Sequence, residues 1–277
     1  MYKRRPILIA FFTVFFFLEA VHPVFAAGEI IGQVNRDSPA IGAVFSGEEF
    51  TYSVGFWLFE GVAIGKINIR KEGSTYVSTL RAYTTGIASW LRHREDTYIS
   101  RIEEVEGGRR FRTLSFDENT IVGSREKRVL TEFDYDRGTM RVKKWKNRKL
   151  RSEVELTIAP GVFYDDPLVA FYNFRYGVYG QVEEGRRYSI KTFPKGADKE
   201  VDINLRIVNK EEFKNRNGEN DGYIADVKLD KELFGSASGE VEVVFDRNLV
   251  PLNAVAKDIM FFGDVRGKLV EEAKEGH

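Results

Sequence analysis

Residues Gly47 to Arg70 read GEEFTYSVGFWLFEGVAIGKINIR, with apolar side chains at every second position: Phe50, Tyr52, Val54, Phe56 and Leu58. Beyond Glu60-Gly61 the alternation resumes with Ala63, Gly65, Ile67 and Ile69. A period of two sends alternate side chains to opposite faces of a sheet, so the stretch reads as a β-hairpin with one greasy face. Trp57 and Phe59 belong to the intervening set, which makes the far end of the hairpin apolar on both faces. Such a strand end is either covered on both sides or lines a cavity.

The same rhythm recurs along the chain. A turn at Glu72-Gly73 leads into a strand over Thr75–Tyr83, and Gly86 breaks the next stretch with a bend, a bulge or a short helical turn. Tyr98–Val105 and Arg109–Phe116 flank the turn glycines Gly107 and Gly108, Ile121–Phe133 reads as one further strand, and a hairpin over Thr139–Ile158 turns at Asn147-Arg148. One helix is expected, Asp165 to about Gly177, with an aspartate to cap it, Pro167 in its first turn and Gly177 to stop it. Strands return over 186–193, 200–209, 223–229, 240–245, 249–257 and 260–270, with a polar loop at Lys214–Gly222. About a dozen strands on short turns imply a mostly β fold. The expected form is one large curled antiparallel sheet, an open or closed barrel, with the helix between two β halves. A two-sheet sandwich is the alternative.

The first 26 residues stand apart. Lys3-Arg4-Arg5 precedes an apolar run from Pro6 to Leu18, and Val24-Phe25-Ala26 offers small residues where a signal peptidase reads. This is the pattern of an export leader cleaved near Ala26; an uncleaved anchor is the alternative. A lead-in loop over 27–46, a single β domain over 47–271 and a charged tail over 272–277 complete the expected organisation. The full chain carries 42 basic and 42 acidic residues, and without the leader 39 and 41, too balanced to hold nucleic acid by its field. Absence of cysteine excludes disulfides and thiolate metal sites. With His22 in the leader and His277 at the end, His93 is the one internal imidazole on which a Ser-His-Asp triad could be built. No cofactor and no metal site is implied.

Three sets of residues invite a functional reading. Trp57, Phe59, Trp90, Phe163, Phe171 and Phe174 are candidates for lining an apolar groove, although core packing explains the same letters. In RVKKWKNRKLR, residues 141–151, the set Arg141, Lys143, Lys144, Trp145, Lys146, Arg148 and Lys149 is a candidate for contact with an anionic surface. The same lysines also suit an edge strand guarded against mispairing. Asp165-Asp166 and Asp134 with Asp136 are the acidic pairs, and a helix cap and a turn account for them.

A set of landmarks resembles the exported bacterial family called domain of unknown function 3108. They are Gly47-Glu48 with Phe50 and Tyr52; Gly61 and Gly65; Thr85-Gly86 leading to Asp96; and Phe133-Asp134. Asp166-Pro167-Leu168 running to Arg175 follows, then FDRNLVPLNAVAKDIMFFGDVRGKL over 245–269 with Asp246, Pro251 and Gly267 in place. The resemblance implies a periplasmic β-rich protein and supplies no activity; by fold analogy alone it points to the curled half-barrels of periplasmic lipoprotein carriers. The expected role is to bind or carry a hydrophobic or amphipathic envelope molecule, with peripheral contact to an envelope membrane and the oligomeric state left open. The alternatives are an envelope interaction protein without a small ligand, and a carboxylate-based hydrolase whose acids would converge in a cleft.

Overall fold

The computed structural model describes residues 39–56, 59–91, 93–192, 201–218, 221–228, 239–259 and 263–274; the leader and Trp57 lie outside them. Fourteen described strands form one antiparallel sheet. In chain order they are β1 (Glu48–Phe56), β2 (Phe59–Glu72), β3 (Thr75–Thr84), β4 (Arg94–Val105), β5 (Arg110–Val122), β6 (Arg125–Asp134), β7 (Thr139–Lys146) and β8 (Lys149–Thr157). The second half contributes β9 (Arg187–Thr192), β10 (Val201–Ile207), β11 (Tyr223–Lys228), β12 (Glu240–Phe245), β13 (Pro251–Ile259) and β14 (Gly263–Lys274).

Every strand pairs with its sequence neighbours, with two exceptions. β1 also pairs with β14, from Glu48 opposite Lys274 to Phe56 opposite Val265. Consecutive β8 and β9 do not pair, and they form the two edges. The opening of the curl therefore lies in the middle of the chain, and the strands from its two ends meet at the centre of the sheet. The sandwich alternative is set aside, and the sheet is not closed.

The alternation read from the sequence is the alternation of burial. Phe50, Tyr52 and Val54 of β1 and Ala63 and Ile67 of β2 are buried on the concave face with Leu80, Ala82, Tyr98 and Phe116, and Ile69 is buried with Tyr76 and Phe111 under the helices Ile41–Phe45 and Pro167–Tyr176. Each large apolar side chain so buried contributes about 1.5–3 kcal/mol against leaving it in water.

The expected helix is α3 (Pro167–Tyr176), which joins the two edges and lies over β3, β4 and β5. Asp166 caps it, accepting from the Leu168 and Val169 amides at 2.8 and 3.2 Å, and Pro167 supplies a first residue that has no N–H to satisfy. Gly177 ends it at φ 88°, a conformation glycine adopts without penalty, and the Val178 N–H returns to the Asn173 carbonyl at 2.9 Å.

Of three shorter helices, α1 and α4 depart from the expected pattern and α2 does not. α1 (Ile41–Phe45) occupies the lead-in segment, its Ile41 and Phe45 buried against Tyr76, Ile102 and Tyr172. α2 (Gly86–Leu91) realises the helical turn at Gly86. α4 (Lys210–Asn217) replaces the start of the polar loop, with Phe213 packed against Val208 and Ile224. The expected strand over 121–133 is also corrected. Its first residues end β5, and a turn at Gly123-Ser124 separates them from β6.

Strand direction gives the curl two unlike ends. β1, β3, β5, β7, β9, β11 and β13 run away from the end that carries α1, α3 and α4. That end is plugged by α1 and α3, whereas Phe213 of α4 packs on Ile224 and Val244 of the convex face. The other end carries α2 and the two-residue turns at 123–124 and 147–148.

Candidate functional site

The most buried polar groups lie where α3 meets the sheet. β5 extends past β6, whose pairing with it begins only at Ser115 and Glu132, so the Phe111 backbone, next to β4 on one side, has no strand on the other. Asn173 of α3 fills the place: the Phe111 N–H donates to its Oδ1 at 2.9 Å and its Nδ2 donates to the Phe111 carbonyl at 2.9 Å. Asp165 accepts from Arg110 at 3.0 Å, from Asn173 at 3.2 Å and from the Tyr179 hydroxyl. Asp166 accepts from the Ser100 and Thr113 hydroxyls as well as from its two helix amides.

Both aspartates are 0% exposed. Burial outweighs the donors around Asp166 and raises its carboxyl to about 6; burial likewise raises Asp165, opposed by Arg110. Raised acids side by side are what the hydrolase alternative predicts. Here, however, the oxygens of both are taken by donors of the fold and neither meets solvent. They are the fastening of α3 to β4 and β5.

A second fastening is Arg175, whose guanidinium pairs with Glu48 of β1 at 2.6 Å, nearly excluded from water. It lies 4.7, 5.3 and 5.1 Å from the ring centres of Phe45, Phe50 and Phe171. Arg94 and Asp96 form a third buried pair at 2.6 Å, and Thr120 donates to the same aspartate at 2.7 Å.

The groove candidates do not form one lining. Phe174 is core, edge-on to Tyr188 at 5.5 Å, and Phe171 packs against Tyr172 at 4.9 Å. Phe163 sits near the Arg110 and Arg112 guanidinium groups, at 5.5 and 5.2 Å. Phe59 and Trp90 are instead 58% and 85% exposed. Single-sequence reading grouped them by type, and only the fold separates a helix core from a rim. His93 is exposed, and its carbonyl accepts from Gly123. Asp134 serves its turn, accepting from the Arg137 N–H at 2.9 Å.

The basic hairpin divides cleanly between the two faces. On the convex face Arg141 pairs with Glu155, Lys143 with Glu132 and Arg128 with Asp117, and Arg128 lies 5.2 Å from the Trp145 ring centre. Arg148, in the turn, reaches Glu126. On the concave face the register aligns three cross-strand rows. Thr120, Lys127, Lys146 and Lys149 form the outermost; Glu118, Val129, Lys144 and Ser152 the next; Phe116, Thr131, Val142 and Val154 the third. Among the described residues, none of Lys127, Lys144, Lys146 and Lys149 has a carboxylate within 4.0 Å. Lys127 was not singled out from the sequence. Its row spans four strands, and no local spacing reveals it.

Below the lysines the face is apolar and open at the edge. Val129 and Leu156 are half-buried and Val154 is 44% exposed, whereas Phe116 and Met140 beside them are closed over.

These features define an open, helix-plugged antiparallel curl with a concave face that is apolar inside and basic at one rim. The family model described as a protein of unknown function (DUF3108) matches residues 51–270, and the chain belongs to that family. No curated protein matches it. Among solved structures it is similar to a β-barrel-like protein of domain of unknown function DUF1849 from Brucella abortus, at 14% identity over 84% of this chain and 99% of that one, TM-score 0.49. A DUF1089 family protein from Pseudomonas aeruginosa aligns at 11% identity over 72% of this chain and 91% of that one, TM-score 0.33. Likenesses this distant add nothing to the strand order described above.

Proposed function

We propose that the chain is an exported envelope protein whose curled sheet binds or carries a hydrophobic or amphipathic molecule along its concave face. The observation that carries this reading is the open edge at β8. There Val154 and Leu156 continue the apolar interior out to solvent, on the side that α3 leaves uncovered. Apolar surface left open inside a concavity is the usual setting for an apolar guest. An unclosed sheet also argues against a membrane-spanning barrel, because hydrocarbon would not satisfy the outward N–H and C=O groups of an edge strand such as β8. Support for export comes from the leader pattern over residues 1–26.

Native mass spectrometry of the protein isolated without detergent tests the binding. The expected result is a bound amphiphile, and after its removal stoichiometric uptake of an apolar fluorophore. A protein that carries nothing and takes up nothing would refute the reading. Fractionation with N-terminal sequencing tests export, the expected mature chain beginning near Ala27 outside the cytoplasm.

A further inference from the structure

We infer that the lysines of β6, β7 and β8 form the head-group end of this surface and select an amphiphile with a phosphate or carboxylate head. The inference rests on the carrier reading and names the class of guest. Lys127 stands directly opposite Lys146, and Lys146 directly opposite Lys149, with Lys144 one row inward on the same face. Like charges in such cross-strand positions destabilise a sheet. The convex face of the same strands shows the usual remedy, since Arg128, Lys143 and Arg141 each face an acid there. The concave face lacks it.

Edge protection does not account for the row. Lysines guard the unpaired edge of a sheet, which here is β8. Lys127, Lys144 and Lys146 lie on β6 and β7, which are paired on both sides. Nor do the acids of this face neutralise them. Asp96 is fully buried and held by Arg94 and Thr120, and Glu118 stands in register with Val129 rather than with a lysine. The missing counter-charge is an anion from outside.

The same rows supply the rest of the guest. From Lys149 the concave positions of edge strand β8 pass through Ser152 and Val154 to Leu156, with the half-buried Val129 nearby, whereas Val142, Met140 and Phe133 behind them are closed into the core. At about 3.3 Å per residue this path is roughly 20 Å long, the scale of an amphiphile laid along a strand. A head group at the lysines places the tail on the apolar face.

The test compares 1-oleoyl-lysophosphatidate with 1-oleoylglycerol, which share tail and glycerol and differ by the phosphate, on the full mature chain. Its variant is Lys127→Gln/Lys146→Gln/Lys149→Gln, at exposed positions where the fold is retained and a thermal melt verifies it. The unaltered protein is expected to prefer the phosphorylated probe about tenfold, a preference that shrinks with added salt. The variant should keep its affinity for 1-oleoylglycerol and lose the preference.

Equal binding of both probes by the unaltered protein, or a preference that survives in the variant, would overturn the inference and leave the carrier reading intact. Binding of neither probe would remove both. Displacement of the phosphorylated probe by equimolar inorganic phosphate would mark a small-anion site and overturn it. Flotation with phosphatidylglycerol vesicles, without binding of either monomeric probe, would mark membrane docking and also overturn it.

Discussion

Asp166 shows how one side chain sets both a helix and a pH response. Ser100, Thr113 and two helix amides satisfy its oxygens, while Asp165 beside it is tied to Arg110, Asn173 and Tyr179. A carboxyl held at about 6 when folded, against about 4 when unfolded, retains its proton longer in the native state. Folding stability therefore falls as pH rises from about 4 to 6, by on the order of 3 kcal/mol, and is flat above; Asp165, also raised, adds a slope of the same sign. Asp166→Asn keeps an acceptor for the amides and should flatten its share of this slope in urea midpoints measured across pH. Asp166→Ala removes the cap and strands two buried hydroxyls, an expected loss of about 2–4 kcal/mol at every pH. At the same scale, Arg148 holds φ 62° in the turn after Asn147. Arg148→Gly relieves that conformation, and an increase of about 0.5–1 kcal/mol, read as a higher melting temperature, is expected.

The elements were legible in unequal measure. Strands with one dry face announce themselves, as β1 and β2 do, because burial and alternation are one fact seen twice. β6 was hidden, since its charges Arg125 to Arg128 break the apolar rhythm and the Gly123-Ser124 turn is short. Helix α4 buries only Phe213, too little to leave a periodic trace. α3 was readable from its cap, its proline and its glycine; its fastening to Glu48, 127 residues away, was not. Breaking that buried pair by Arg175→Met should cost about 3–5 kcal/mol, because it leaves Glu48 charged and dry. Glu48→Leu together with Arg175→Met should recover most of the loss in denaturant unfolding, as expected when an apolar pair replaces a buried ionic one. The lysine row gives a prediction of opposite sign. Lys127→Glu sets an acid opposite Lys146 and should stabilise the sheet by about 0.2–1 kcal/mol while abolishing selectivity for an anionic guest.

For the molecule as a whole, the strand order sets where the sheet is firm and where it gives. β1 is held by β2 on one side and β14 on the other, whereas β8 and β9 each have one partner. Native-state hydrogen exchange should find the slowest amides in β1 and β2 and the fastest strand amides at the two edges. Equal protection across all fourteen strands would contradict the open order. The pairing of Glu48 with Lys274 also joins residues more than two hundred positions apart. Such a contact closes late and slowly, so folding should be slow for a protein of this size in stopped-flow refolding. At this scale the opening was half legible: the lysines of residues 141–151 suit the edge that β8 is, whereas nothing in the letters of β9 records the other edge.

Pro39 and Lys274 both lie beside α1, where the Lys274 ammonium reaches the Val44 carbonyl. The turn between Lys146 and Lys149 lies at the far ends of the strands. A spin label or dye placed at Pro39 or Lys274 would thus sit on the stoppered side and stay remote from the lysine-lined rim.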